Sequence, residues 1–145
     1  GDLLALIREV AELMDSSFKE RAVVFHLHAP GRIPPFAFDS GQIRQVLINL
    51  FKNALEAMPE GGNLTVSAEV QDDDLRLKIT DTGHGIAPEQ LPNLFTPFFT
   101  TKEGGTGLGL IICRGLISQH QGEITIDSAV DHGTTCTIRL PLAAA

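Results

Sequence analysis

Three spaced groups of residues in this chain could do chemistry. Asn49 and Asn53 lie four apart in a helical segment, DTGHG spans Asp81–Gly85, and GGTGLGL spans Gly104–Leu110. Residues four apart on a helix are neighbours on its surface. Amide oxygens at that spacing suit a hard cation such as magnesium, which takes oxygen ligands and keeps several waters; two ordinary polar surface residues would look the same. Asp81 ends a strand, and the glycines at 83 and 85 let the backbone turn and approach a flat ligand. A carboxylate there can accept from the exocyclic amino group of adenine. Guanine would present an acceptor at the same place and leave a buried polar group unpaired. A plain strand-to-loop turn uses the same residue types.

The third group runs into a helix. The first N–H groups of a helix have no internal partner and point at an incoming anion, and the helix dipole adds to the attraction. Gly105, Gly107 and Gly109 would let phosphate oxygens reach those donors, and three alternate glycines exceed what a hinge needs. Two familiar phosphate loops fail here. A P-loop needs Lys-Ser/Thr after its last glycine, where Leu110-Ile111 stand, and a dinucleotide GxGxxG fails because Ile112 occupies the third glycine position. Lys102, just upstream, could reach terminal phosphates as a mobile point charge or be a solvated loop lysine. His26 and His28 alternate on a strand without a ligand-spaced carboxylate or thiol and read as surface residues. His84 lies within DTGHG, where its backbone matters more than its ring.

The elements that must position these groups follow from hydrophobic period. Residues 3–14 carry one apolar stripe (Leu3, Leu6, Ile7, Val10, Leu13, Met14) behind a possible Asp2 cap. Residues 22–28 alternate as a strand. The clearest helix has Ile43, Val46, Leu47, Leu50, Phe51, Ala54, Leu55 and Met58 on its stripe, Asp39 or Ser40 at its start, and Pro59, Gly61 and Gly62 at its end. Both asparagines fall off that stripe. Leu64–Val70 and Leu75–Ile79 alternate around Asp72-Asp73 as a β-hairpin that runs into Asp81. One helical turn is expected over 88–94. TPFFTTKEGGT has no period and the length of a lid, about 95–108. A helix follows, with Leu108, Ile111, Ile112, Gly115 and Leu116 on its apolar side, and two strands close the chain around Ile124 and Ile126, then Cys136, Ile138 and Leu140. Half-apolar, mostly antiparallel strands with helices to cover one face describe a two-layer α+β sandwich.

Composition bounds the function. A chain of 145 residues with 43% hydrophobic and 20% charged residues fits one globular domain over 1–145. The net charge of −7, with scattered acids, argues against a nucleic-acid surface. No apolar run reaches the ~20 residues that span a bilayer, and no signal peptide opens the chain. The opening directly into a helical pattern is what a trimmed domain boundary would show. Cys113 and Cys136 lack metal or disulfide spacing and read as core thiols in a reducing, cytoplasmic setting.

With the three groups in order, the chain resembles the catalytic, ATP-binding domain of sensor histidine kinases, within the GHKL (Bergerat-fold) ATPases. QVLINLFKNALEAM resembles the asparagine box of that family, DTGHGI the first glycine box, LFTPFFTTK the phenylalanine box and GGTGLGL the second glycine box. Gly133-Thr134 resembles the small third glycine element. NALEAM and PFFTTK are most similar to the nitrogen-regulation type. The resemblance implies that Asn53 holds magnesium and Asn49 supports the phosphates or metal-bound water. It implies that Asp81 reads adenine, with Gly83, Gly85 and Ile86 shaping that loop. Lys102, Gly105, Thr106, Gly107, Leu108 and Gly109 would close over the phosphates, Phe95 and Phe98 would anchor the lid, and Thr134, or alternatively Thr135, would join the adenine site. The pattern departs at Glu56, where many members carry a basic residue that Lys102 would replace.

The implied activity is donation of the γ-phosphoryl group of Mg-ATP to a histidine on a separate dimerisation domain, then onward to the receiver domain of a response regulator. None of the five histidines precedes an acid, as the acceptor of that family does, so the acceptor helix is expected outside this chain and the fragment is expected to be monomeric without direct membrane contact, although a longer protein could be membrane-tethered. Three other readings share the pocket: a self-contained ATPase, whose water-activating glutamate would stand where Asn49 does; a serine kinase of the anti-sigma type; and a non-catalytic nucleotide sensor.

Overall fold

The computed structural model describes residues 2–29, 31, 33–83, 109–128 and 133–142. Helix α1 (Leu3–Leu13) starts where Asp2 accepts from the Ala5 N–H at 3.2 Å, satisfying one of the donors a helix start leaves open. The expected helix over 3–14 ends one residue early. Met14 leaves helical geometry and a second short helix, α2 (Asp15–Glu20), follows. Its polar sequence hides one anchor, Phe18, which is buried against Phe25 and Phe51 with ring centroids at 5.6 and 6.2 Å.

Strand β1 (Val23–His28) is followed by α3 (Ser40–Ala57), capped by Asp39, whose carboxylate accepts from Gln42 N–H at 2.9 Å. The stripe Ile43, Val46, Leu47, Leu50, Phe51, Ala54 and Leu55 is buried as its spacing requires, and Met58 completes it just past the helix. Strands β2 (Gly62–Gln71) and β3 (Asp74–Asp81) form the expected hairpin, with Asp72 in the left-handed region at φ 58° as tight hairpin turns require. Helix α4 (Gly109–Gln119) and strands β4 (Glu123–Ser128) and β5 (Thr134–Pro141) complete the described chain.

The five strands lie in the order β1-β2-β3-β5-β4. Only β1 and β2 are parallel, joined through α3; the other three pairs are antiparallel. The mixed, mostly antiparallel sheet agrees with the expected fold. Leu64, Val66, Ala68, Leu75, Leu77, Ile79, Cys136, Ile138 and Leu140 turn to the helices and are buried. Alternate residues such as Ser67, Lys78 and Thr137 occupy the opposite, polar face, the period-2 division of a sheet covered on one side. On α4 the core-facing residues are Cys113 and Ile117, both essentially inaccessible, whereas Ile112 is 44% exposed and Gly115 faces open space. The expected apolar side was therefore rotated. LIICRGLI is apolar on nearly every side, so its period does not single out a face. No helix among the described residues is long and apolar enough to cross a membrane.

Candidate functional site

Asp81 continues the core-facing series of β3 after Leu75, Leu77 and Ile79, and this parity buries it. It is the single buried polar or charged side chain among the described residues. Its Oδ1 accepts from the Gly83 N–H at 2.8 Å, which draws the chain into the turn that the DTG sequence anticipates. Two glycines close around it. A Cβ on Gly83 would collide with the carbonyl of Ala57, and a Cβ on Gly133, at φ 82°, would collide with the carbonyl of Asp81 itself. Thr82 ties the same turn down, accepting from Asn63 N–H at 3.0 Å and donating to Met58 Sδ at 3.6 Å.

The Gly83–Ala57 contact joins the aspartate turn to the asparagine helix. Ala57 is four residues beyond Asn53, about 6 Å along the axis. Asn53 and Asn49 are half-buried, off the core stripe, and Asn49 Oδ1 accepts from Gln45 Nε2 at 3.1 Å. Helix α4 reaches the same region from the other side. Cys113 Sγ lies 3.8 Å from the Val46 carbonyl, its hydrogen-bond acceptor. Burial pushes the Cys113 thiol up to about 11, and a hydrogen bond from the Asn49 side chain opposes that rise. At the far end of α4, His120 bonds to the backbone of Asp39, at the start of α3. The two helices are therefore antiparallel, and the N-terminus of α4 at Gly109 points toward the Asn49–Asn53 end of α3. Asp81, the asparagine pair and the start of α4 are thus gathered at one end of the helix layer.

Strand alternation separates the two threonines. Thr134 pairs in register with Asp81 and shares its side of β5 with buried Cys136, its hydroxyl 2.8 Å from Ser128 Oγ. Thr135 lies on the polar face, 3.2 Å from Thr80 Oγ1. His26 and His28 are exposed, as expected, with His26 Nε2 3.1 Å from Asn63 Oδ1. Gly85, Ile86, Phe95, Phe98, Lys102, Gly105, Thr106, Gly107 and Leu108, with the turn expected over 88–94, lie outside the described residues. Sequence reasoning missed three supports: the Ala57 carbonyl behind Gly83, the Cys113 thiol beside Asn49, and Thr82 as a tie to β2 and Met58. Each joins residues distant in sequence. Only the alternation of β3 through to Asp81 was available beforehand as a sign that this carboxylate is buried.

Residues 38–144 match the family described as histidine kinase-, DNA gyrase B-, and HSP90-like ATPases, and the chain belongs to it. Within that family it is a sensor histidine kinase catalytic domain. It is 34% identical to the nucleotide-free catalytic domain of histidine kinase ThkA, with a TM-score of 0.89 over 98% of this chain and 93% of that one. Full-length ShkA, solved with AMPPNP, aligns over all of this chain and 31% of its own length, with a TM-score of 0.91 and 30% identity. Among curated proteins, sporulation kinase D of Bacillus subtilis (strain 168) is 48% identical over 102 residues, which is 70% of this chain. Sensor histidine kinase ZraS of Escherichia coli (strain K12) is 36% identical over 141 residues, 97% of this chain. The chain spans 20% of the length of the former and 30% of the latter.

Proposed function

We propose that this domain binds Mg-ATP and donates its γ-phosphoryl group to a histidine on a separate dimerisation domain, from which the phosphate passes to a response-regulator receiver domain. The observation that carries the reading is the burial of Asp81 within a glycine cradle whose wall is the last turn of the asparagine helix. A buried carboxylate there favours a ligand edge that donates, and adenine presents an amino group where guanine presents an acceptor. Asn53 is the residue that would hold magnesium; half-buried at the rim, it offers the neutral oxygen such an ion takes while keeping waters. When bound, the ion would neutralise charge on the phosphates. Asn49 supports the phosphates from the next turn, and the start of α4 would direct its first N–H groups at them. Lys102 with Gly105 and Gly107 of the lid, and Gly109 at the start of α4, would close over the polyanion. Thr134 borders the adenine side.

In the transfer, an imidazole nitrogen of the acceptor attacks the γ-phosphorus. The P–O bond to the leaving ADP breaks and its electron pair departs with ADP. Such a reaction asks the protein mainly for positioning and charge neutralisation. The complex of ThkA with the response regulator TrrA supports the onward partner. The test mixes this chain, γ-labelled ATP and a separately produced acceptor domain. The expected result is acid-labile, base-stable label on the acceptor. ATP hydrolysis without label on the partner would replace this reading with that of a self-contained ATPase.

A further inference from the structure

His120 is half-buried just beyond α4 and is held at both ring nitrogens. Nδ1 lies 2.9 Å from the Leu116 carbonyl, and Nε2 lies 3.0 Å from the Asp39 backbone nitrogen. A carbonyl can only accept and a backbone N–H can only donate. Nδ1 therefore carries the proton, Nε2 is the acceptor, and the ring is neutral. The Leu116 bond satisfies a carbonyl that the end of α4 would leave open. The Asp39 bond reaches across to the cap of α3, a residue already committed elsewhere: its carboxylate accepts from Gln42 N–H at 2.9 Å and its carbonyl from Ile43 N–H at 2.9 Å.

The imidazole thus clasps the end of one helix to the start of another at the pole away from the candidate site. Asn49 lies ten residues along α3 from Asp39, about 15 Å, and Gly109 lies eleven residues along α4 from His120, about 17 Å. A rigid helix pivoting at one end moves most at the other, so a loosened clasp displaces the phosphate-facing start of α4 relative to Asn49 and Asn53. We infer that His120 is a positioning residue for the nucleotide site, acting through the relative placement of α3 and α4. This rests on the reading that Mg-ATP binds between Asp81, the asparagine pair and α4.

Two substitutions separate the two bonds. His120→Asn keeps a donor at the δ position for Leu116 but is too short to reach Asp39; His120→Gln places an acceptor oxygen at the ε position. Calorimetry with Mg and a non-hydrolysable ATP analogue should give an affinity about fivefold or more weaker for His120→Asn, the scale of one lost hydrogen bond. His120→Gln should recover most of it. The Asp39 amide should exchange faster with solvent in the Asn variant than in the Gln variant, and nitrogen NMR of the wild type should show the Nδ1–H tautomer. Equal affinities for wild type and a folded His120→Asn, or an Nε2–H tautomer, would overturn the inference. If wild type binds no analogue, the proposed function fails and takes this inference with it. If wild type binds and both variants weaken alike, the Asp39 bond does not set the affinity, and the inference fails while the proposed function stands.

Discussion

At the scale of single residues, Asp81 and Asn53 carry different parts of the proposed recognition and should fail differently. Asp81→Asn replaces an acceptor-only group with one that also donates, so ATP should bind more weakly and its preference over GTP should narrow in competition titrations. Equal affinity of wild type for the two nucleotides would remove the basis for that assignment. Asn53→Ala should leave the fold intact and reduce magnesium-dependent ATP affinity at least tenfold, about 1.4 kcal/mol, while affinity without magnesium changes little; calorimetry with and without the ion reads the difference. Gly133 is a structural counterpart. A Cβ there meets the Asp81 carbonyl at a backbone angle that disfavours side chains. Gly133→Ala should therefore lower unfolding free energy by more than about 2 kcal/mol and disturb nucleotide binding, whereas Gly115→Ala, in open space, should not destabilise. The sequence made Asp81 and the asparagines legible because strand alternation and helical spacing are local. The Ala57 and Cys113 contacts were not legible, because tertiary packing alone brings them to the site.

At the scale of elements, α4 and β5 each bury one thiol in the common core, Cys113 and Cys136. Burial raises Cys113 from 9.0 to about 11, and burial together with the neighbouring Cys113 raises Cys136 from 9.0 to about 12. In the unfolded chain both ionise near pH 9, while the folded chain keeps its protons until about 11 and 12. Across that window the unfolded state binds fewer protons, so stability is intact below pH 9 and declines as pH rises. The decline is at most about 1.4 kcal/mol per pH unit for each thiol. Denaturant titrations between pH 8 and 11 should show this slope in wild type and a shallower one in a Cys113→Ala/Cys136→Ala double variant. Thiol reagents at neutral pH should react only as fast as the domain opens. The helices illustrate what period can and cannot reveal. The amphipathic α3 was readable residue by residue, α4 was too uniformly apolar for its buried face to be chosen, and α2 was hidden because one phenylalanine anchors an otherwise polar stretch.

At the scale of the whole molecule, the two-layer plan was legible because alternating strands and one strongly amphipathic helix leave few ways to cover a half-apolar sheet. The parallel pairing of β1 with β2 was not, since nothing local to either strand specifies direction. That pairing places α3 in the crossover, so the asparagines ride on an element fixed at both ends by the sheet. The first 28 residues matter for the same reason. Leu3, Leu6, Ile7, Val10, Phe18 and Val23 are buried in the common core, yet they precede the 38–144 segment that the family match covers. A shortened protein beginning at residue 38 should lose cooperative thermal unfolding and show increased binding of an apolar dye; a sharp melting transition in that fragment would contradict it. Shuffling the domain between sensors therefore calls for a splice upstream of Asp2, because a cut placed at the family boundary would deliver the recognition motifs without the hydrophobic floor on which their helix rests.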